Sequence, residues 1–212
     1  MPVFDYKKEF RKYYLPKQKP EIVDIPAMQF IAVRGAGNPN AQNGSYQNAV
    51  GLLYAISYTI KMSWKTGFEI ENYFPYVIPP LEGFWWLADG TGIDYRNKSA
   101  FQWISVMRLP EFVTEDIFEW AKEEAAQKKE INPAPAELFR LTEGVCVQCM
   151  HVGSYDEEPA TVSEMKQYAV SQGYALDFTE TRRHHEIYLS DPRKTAPDKL
   201  RTVIRHPVAK IE

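Results

Sequence analysis

The chain has 212 residues, 44% of them hydrophobic, 25% charged and 14% aromatic, with a formal net charge of -3. This suits a globular protein with a sizeable core, and without a basic field to attract phosphates direct nucleic-acid binding is excluded. No apolar run approaches the ~18 residues of a membrane span, and no apolar core follows Lys7, Lys8, Arg11 and Lys12 as in a signal peptide, so a cytoplasmic location is expected.

Residues 1–27 read as a lead-in of mixed charge carrying Phe4, Tyr6, Phe10, Tyr13 and Tyr14, extended or briefly helical, that drapes over the body. A strand is predicted over 28–34, followed by a Gly, Asn and Pro loop over 35–44. Ser45 is read as the cap of a helix to about residue 62. Ala49, Leu52, Leu53, Ile56 and Ile60 form its apolar face, with Tyr54 and Tyr58 one turn apart beside it. A strand interrupted by Pro79-Pro80 follows over 73–87, then a turn over 88–97 and a strand over 101–109. Thr114, Glu115 and Asp116 open a helix to about 129, the acids lying at the positive end of its dipole.

The second half repeats the order. A strand over 145–152 ends in Gly153, as the first ends near Gly35. Thr161 and Glu164 read as a capping box for a helix ending near Gly173. Strands over 175–179 and 183–190, a short helix over 197–200 and a last strand over 202–205 complete the chain. Strand–helix–strand–strand thus occurs twice, at about 28–110 and 145–206, joined by the helix at about 114–129. The fold class expected is α+β: two repeats with pseudo-two-fold symmetry, forming an antiparallel sheet with helices on one face and a ligand cleft on the other.

Each half carries a glutamate inside an aromatic strand: Pro80-Leu81-Glu82-Gly83-Phe84-Trp85-Trp86 and His185-Glu186-Ile187-Tyr188-Leu189. Alternation puts Glu82, Phe84 and Trp86 on one face, and Glu186 with Tyr188 on one face. A carboxylate among rings suits a cationic ligand or acid–base chemistry at a raised pKa. Facing the cleft, Glu82 and Glu186 would approach it from opposite sides. The alternative for Glu82 is an ion pair with Arg96 or Arg108.

Cys146 and Cys149 lie three apart on a strand, hence on opposite faces, and read as core residues rather than a chelate or disulfide. The histidines at 151, 184, 185 and 206 lack chelating spacing, although His184 shares a face with Glu186 and could tune its charge. Asp156, Glu157 and Glu158 read as a solvated loop or helix lead-in. No metal or cofactor is expected.

The run 185–193, continuing through 195–200, resembles the C-terminal signature of stand-alone GyrI-like proteins, and the segment 80–86 is similar to the same subfamily. The resemblance extends from about residue 28 onward. It implies a cleft for planar, often cationic or electrophilic compounds, without the DNA-binding domain that multidrug-sensing relatives carry. It also implies a kinship with hydrolases that open the strained cyclopropane of DNA-alkylating natural products. By position, the resemblance places Glu82, Trp86 and Glu186 in the cleft and, more loosely, Tyr54, Tyr58 and Trp103; Phe84 and Tyr188, which share strand faces with the glutamates, are read as further ring contacts. Three readings follow: a hydrolase using glutamate acid–base catalysis, a binding domain that sequesters cationic drugs, and a gyrase-inhibitor-like protein partner. The oligomeric state is open.

Overall fold

The computed structural model describes residues 3–88, 93 and 96–211. In chain order the elements are α1 (Tyr6–Glu9), α2 (Arg11–Tyr14), β1 (Glu21–Ala36), α3 (Ser45–Lys61), β2 (Leu81–Leu87), β3 (Phe101–Arg108), α4 (Glu115–Lys129), β4 (Ala136–Val152), α5 (Glu158–Ser171), β5 (Tyr174–Leu176), β6 (His184–Tyr188) and β7 (Arg201–Lys210). The strand expected at 28–34 begins seven residues earlier, and the one expected at 145–152 begins nine earlier. The two long strands pair antiparallel from Glu21↔Gln148 to Val33↔Ala136. The strand expected over 73–87 is confined to β2, after the prolines. Most of the expected turn at 88–97 lies outside the described residues.

All pairings between the named strands are antiparallel and run β4-β1-β3-β2-β6-β7, with β7 returning to β4. The architecture is therefore an α+β fold whose antiparallel sheet closes into a barrel, with β5 pairing onto the end of β7. Closure leaves the six strands no free edge. It also gives the sheet an inside and an outside, where the sequence led us to expect an open sheet.

The inside holds Val23, Ile25, Phe30, Ala32, Phe84, Ile104, Val106 and Cys146. Residues of α1 and α2 join it: Tyr6 and Tyr14 pack with Met150, Ile187 and Val203. Outside, α3 and α4 cover Ile31, Val33, Trp85, Trp103 and Met107, and α5 covers Val147, Cys149, Ile204 and Val208. Cys146 and Cys149 thus belong to opposite faces, and both are free. Of the helices α3 and α4, only α4 follows its expected cap. The Thr114 hydroxyl accepts from Ile117 N at 3.4 Å and opens α4. At α3 the N-cap is Gly44, while the expected cap, Ser45, donates its hydroxyl to Ala36 O.

The third helix starts earlier than expected. The capping box is formed by Ser154 and Glu157, not by Thr161 and Glu164, and Pro159 sits in the first turn, where its missing N–H costs nothing. Thr161 is instead inside α5, with its hydroxyl 2.8 Å from His151 Nδ1. This shift carries Glu158 out of the expected loop and into a buried position.

Candidate functional site

The site is set by the register between β2 and β6. Leu81, Gly83 and Trp85 pair with Tyr188, Glu186 and His184, whereas Glu82 pairs with Ile187 and Phe84 with His185. Paired residues share a face, so Glu186 and Glu82 point to opposite sides of the wall. Glu186 and Tyr188 point outward, together with Trp85. Glu82 and Phe84 point into the barrel.

On the outside, a cavity of about 1090 Å³ lies between α3, the loops 39–42, 77–80 and 189–193, and the β2–β6 wall. It therefore lies on a helix-covered face, because the opposite face is closed into the barrel interior. Its lining includes Tyr46, Tyr54, Tyr58, Trp85, Phe101, Tyr155, Glu186 and Tyr188. Lys7, Lys61, Lys98, Asp191 and Arg193 add charge around it. Lys98 pairs with Asp156, and Arg193 with Asp191.

The wall residues are held by one another. Trp85 Nε1 donates to the Tyr188 hydroxyl at 2.9 Å, and that hydroxyl donates to Glu186 Oε2 at 2.7 Å. His184 Nε2 lies 2.8 Å from Glu186 Oε1. Gly83, directly across from Glu186, is required for this arrangement, because a Cβ there would stand 2.6 Å from Trp85 Nε1. Trp103 backs the wall in the same way. It packs edge-on to Tyr46 at 5.1 Å, and its ring fills the place where a Cβ on Gly35 would fall.

Burial raises the Glu186 pKa, but hydrogen bonds and charge from His184, with further bonds from Tyr188 and Glu158, outweigh it and hold the carboxyl below its ordinary value. Burial and the Glu186 charge push the Tyr188 and Tyr46 phenols upward, and Tyr155 to about 12, so all three remain protonated donors at neutral pH. Glu158 from the start of α5 is buried behind Glu186. The outcome is a carboxylate at the cavity wall with a second carboxyl group immediately behind it. Glu158, His184 and Glu186 have potential ligand atoms all within 4.8 Å of one another and are the set, among the described residues, that could hold a metal ion.

Of the residues singled out from sequence, Glu186, Tyr54, Tyr58 and Tyr188 line the cavity. Trp103 is buried behind it. Glu82, Phe84 and Trp86 are on the inner face. Phe84 stacks on His185 at 4.1 Å, and Arg183 lies over Trp86 at 4.7 Å. Glu82 pairs with His185 at 3.0 Å and accepts from the Tyr14 hydroxyl at 3.3 Å. Its cation is thus His185, and Arg108 pairs with Glu111 instead. The expectation that the two glutamates flank one cleft is corrected by the one-residue offset between β2 and β6. Trp85, Tyr46, Tyr155 and Glu158 were missed. The Ser154-x-x-Glu157 box followed by Pro159 was the signal that could have found Glu158.

Helix-by-helix, no described segment is long and apolar enough to cross a membrane. Among curated proteins, none matches the sequence. A hydrolase of Listeria innocua is similar in structure, with a TM-score of 0.91 and 46% identity over 98% of this chain and 100% of its own. An uncharacterised conserved protein of the same organism gives 0.91 and 48% over 97% and 100%. The C-terminal domain of EcmrR shares the fold alone, at 0.54 and 13% over 91% and 98%. Residues 18–209 match the GyrI-like small molecule binding domain, and the chain belongs to that family.

Proposed function

We propose that the protein is a hydrolase that takes planar, electrophilic small molecules into the outer cavity and opens a strained cyclopropane with water. The observation that carries this reading is Glu186, a buried carboxylate hydrogen-bonded by Tyr188 and His184 in the wall of an aromatic cavity, with Glu158 behind it. The 46% identity to a Listeria innocua hydrolase supports the reaction class.

For a spirocyclopropyl dienone the step balances as follows. Water oxygen bonds to a methylene carbon of the ring, and the bond from that carbon to the spiro centre breaks. Its electron pair enters the dienone, which becomes a phenolate. Glu186 accepts the water proton as general base, a role worth roughly a hundred- to ten-thousand-fold. Tyr46 or Tyr155, both kept protonated, donates to the developing oxyanion, which takes a proton from solvent on release. Trp85, Tyr188 and the rings of α3 stack on the flat substrate and exclude bulk water. Glu82 has no part in this chemistry: it belongs to the barrel interior.

The test is turnover of a spirocyclopropyl-dienone alkylating compound, followed by absorbance, for wild type, Glu186→Gln, Glu158→Gln and Glu82→Gln. Multiple turnovers lost in the Glu186 variant and kept in the Glu82 variant support the reading. Tight binding without turnover in wild type would reduce the protein to a sequestering domain in which Glu186 is a counter-charge.

A further inference from the structure

The outer cavity is long, and α3 runs its length. Tyr46, Val50, Tyr54, Tyr58 and Lys61 all line it and stand on successive turns of one helix face. At about 1.5 Å per residue, Tyr46 and Lys61 are about 22 Å apart along the axis. Glu186 belongs to the Tyr46 end: Tyr46 packs on Trp85 at 5.2 Å, Trp85 donates to Tyr188, and Tyr188 donates to Glu186. Lys61 belongs to the other end, with its ammonium 5.9 Å from the centre of the Tyr58 ring.

Charge is divided unevenly between those ends. The lining carries Lys7, Lys61, Lys98 and Arg193 against Glu186 and Asp191. Lys98 is paired with Asp156, and Arg193 with Asp191. Lys7 and Lys61 are half-buried and form no ion pair among the described residues. The stretch 73–77, at most about 15 Å long when extended, brings both to one region. At its start the Tyr73 hydroxyl donates to Lys61 O at 2.6 Å; at its end Val77 N donates to Phe4 O at 2.8 Å, just before α1 and Lys7. Val77 itself lines the cavity, whereas Asp5 does not: the Asp5 carboxylate accepts from Lys7 N and caps α1.

Two ammonium groups in a partly enclosed wall, with no carboxylate of the lining to match them, draw negative charge from whatever enters. Glu186 does the opposite at the Tyr46 end, so the cavity is bipolar and gives a ligand one orientation. We propose that Lys7 and Lys61 form a subsite for an anionic group, and that the ligands of this cavity are planar aromatic compounds carrying a carboxylate. The acid is seated beside Tyr58, and the rings point along α3 toward Glu186. A cationic substituent is disfavoured at that end by like charge. The N-terminal segment thereby contributes one of the two recognition charges.

The inference rests on the outer cavity as the ligand site, as the proposed function does, but it needs no reaction. Its test is fluorescence titration with three unreactive probes that differ in one group: 4-(1-pyrenyl)butyrate, its primary amide and 4-(1-pyrenyl)butylamine. In low salt the acid should bind wild type about tenfold more tightly than the amide, and the amine more weakly than either, since each exposed ion pair is worth about two- to fivefold. The preference should shrink in about 0.5 M salt. Lys7→Gln and Lys61→Gln should each lower it by about two- to fivefold, and the double variant should bind acid and amide alike, with amide affinity unchanged. Equal affinities for acid and amide in wild type overturn the proposal, as does an acid preference that survives in the double variant. If that variant does not fold, the wild-type comparison and its salt dependence decide alone. An acid preference without dienone turnover would remove the hydrolase reading and leave this one standing; turnover without an acid preference would do the reverse.

Discussion

Glu82 and Glu186 sit on paired strands, one residue out of register, on opposite faces of a single wall, and they are held in opposite ways. On the inner face the partners are charges. Glu82 meets His185 Nε2 at 3.0 Å, His185 Nδ1 meets Glu143 at 3.0 Å, and Glu143 meets Arg205 at 2.7 Å. Two anions and two cations alternate, and the row is closed to solvent. On the outer face Glu186 has neutral phenols, a histidine and a second carboxyl group, and one side opens onto the cavity. A buried carboxylate with its charge fully matched stabilises a fold; one held ionised beside a cavity can take a proton from something that enters.

The inner row also anchors the N-terminal segment. Arg205 donates to Tyr13 O at 2.9 Å, Gln148 donates to Lys12 O at 2.7 Å, and the Tyr14 hydroxyl reaches Glu82. Arg108 lies beneath the rings of Tyr6 and Phe10, at 4.7 and 4.5 Å. Lys7 of this segment in turn lines the outer cavity. The two faces are thus linked through the segment that the sequence analysis treated as a lead-in.

Exchanging each glutamate for glutamine separates the faces most widely. Glu186→Gln should lower dienone turnover by roughly a hundred- to ten-thousand-fold, the usual contribution of a general base, at a cost of about 1–3 kcal/mol in unfolding free energy for the hydrogen bond its amide nitrogen cannot accept. Glu82→Gln should leave turnover nearly intact and cost about 1–3 kcal/mol, because it unbalances a buried charged hydrogen-bond network. Steady-state kinetics beside urea unfolding reads both, and equal losses of turnover would erase the distinction.

Arg205→Leu attacks the inner row alone. It leaves Glu143 and Glu82 with only His185 between them, and breaking a buried ion pair from one side costs about 3–5 kcal/mol. Hydrogen exchange around residues 12 and 13 should rise with the loss of stability, since their carbonyl contacts run to Gln148 and Arg205. A variant as stable as wild type would show that the row contributes nothing net.

The inner row should also set how stability depends on pH. Burial pushes the Glu143 carboxyl up, but His185 and Arg205 more than offset it and hold the group at about 2. A lowered carboxyl contributes stability above its unfolded value near 4.5, lost as pH falls toward 2; the difference amounts to about 3 kcal/mol. Burial lowers His185, yet Glu143 and Glu82 together raise it above its ordinary 6.5. A raised histidine contributes stability below pH 6.5 that is lost as pH climbs through the folded value. Unfolding free energy should therefore be greatest between about pH 4.5 and 6.5 and decline on both sides. A profile flat from pH 7 to 3 is incompatible with this row.

Helix positions were legible because caps and apolar spacing are local: α3 and α4 lie within a residue or two of their expected limits. Which face of β2 meets the cavity was not legible. Phe84 and Trp85 are both buried, and a strand covered on both sides loses the alternation that would orient it. Glu158 was overlooked because two capping boxes compete within one stretch, Ser154 with Glu157 and Thr161 with Glu164, and the local cue for the earlier one is Pro159 in the first turn of α5.

The smallest expected effect sharpens the same comparison with apolar groups. Tyr58 on α3 stacks on Tyr54 at 6.3 Å and remains 47% exposed at the cavity. Phe84, on the inner face, is 2% exposed. Truncating Phe84 to alanine should cost about 3–5 kcal/mol of stability without touching the cavity wall. Truncating Tyr58 should change stability by no more than about 0.5 kcal/mol, as exposed substitutions do. It should weaken binding of a planar aromatic ligand by about two- to tenfold, the worth of one ring–ring contact. Fluorescence titration with the dienone's ring-opened phenol reads the second quantity without chemistry. Unchanged affinity in the Tyr58 variant would mean that ligands bind deeper, against Trp85 and Tyr188 alone, and that the exposed pair on α3 is no part of the recognition surface.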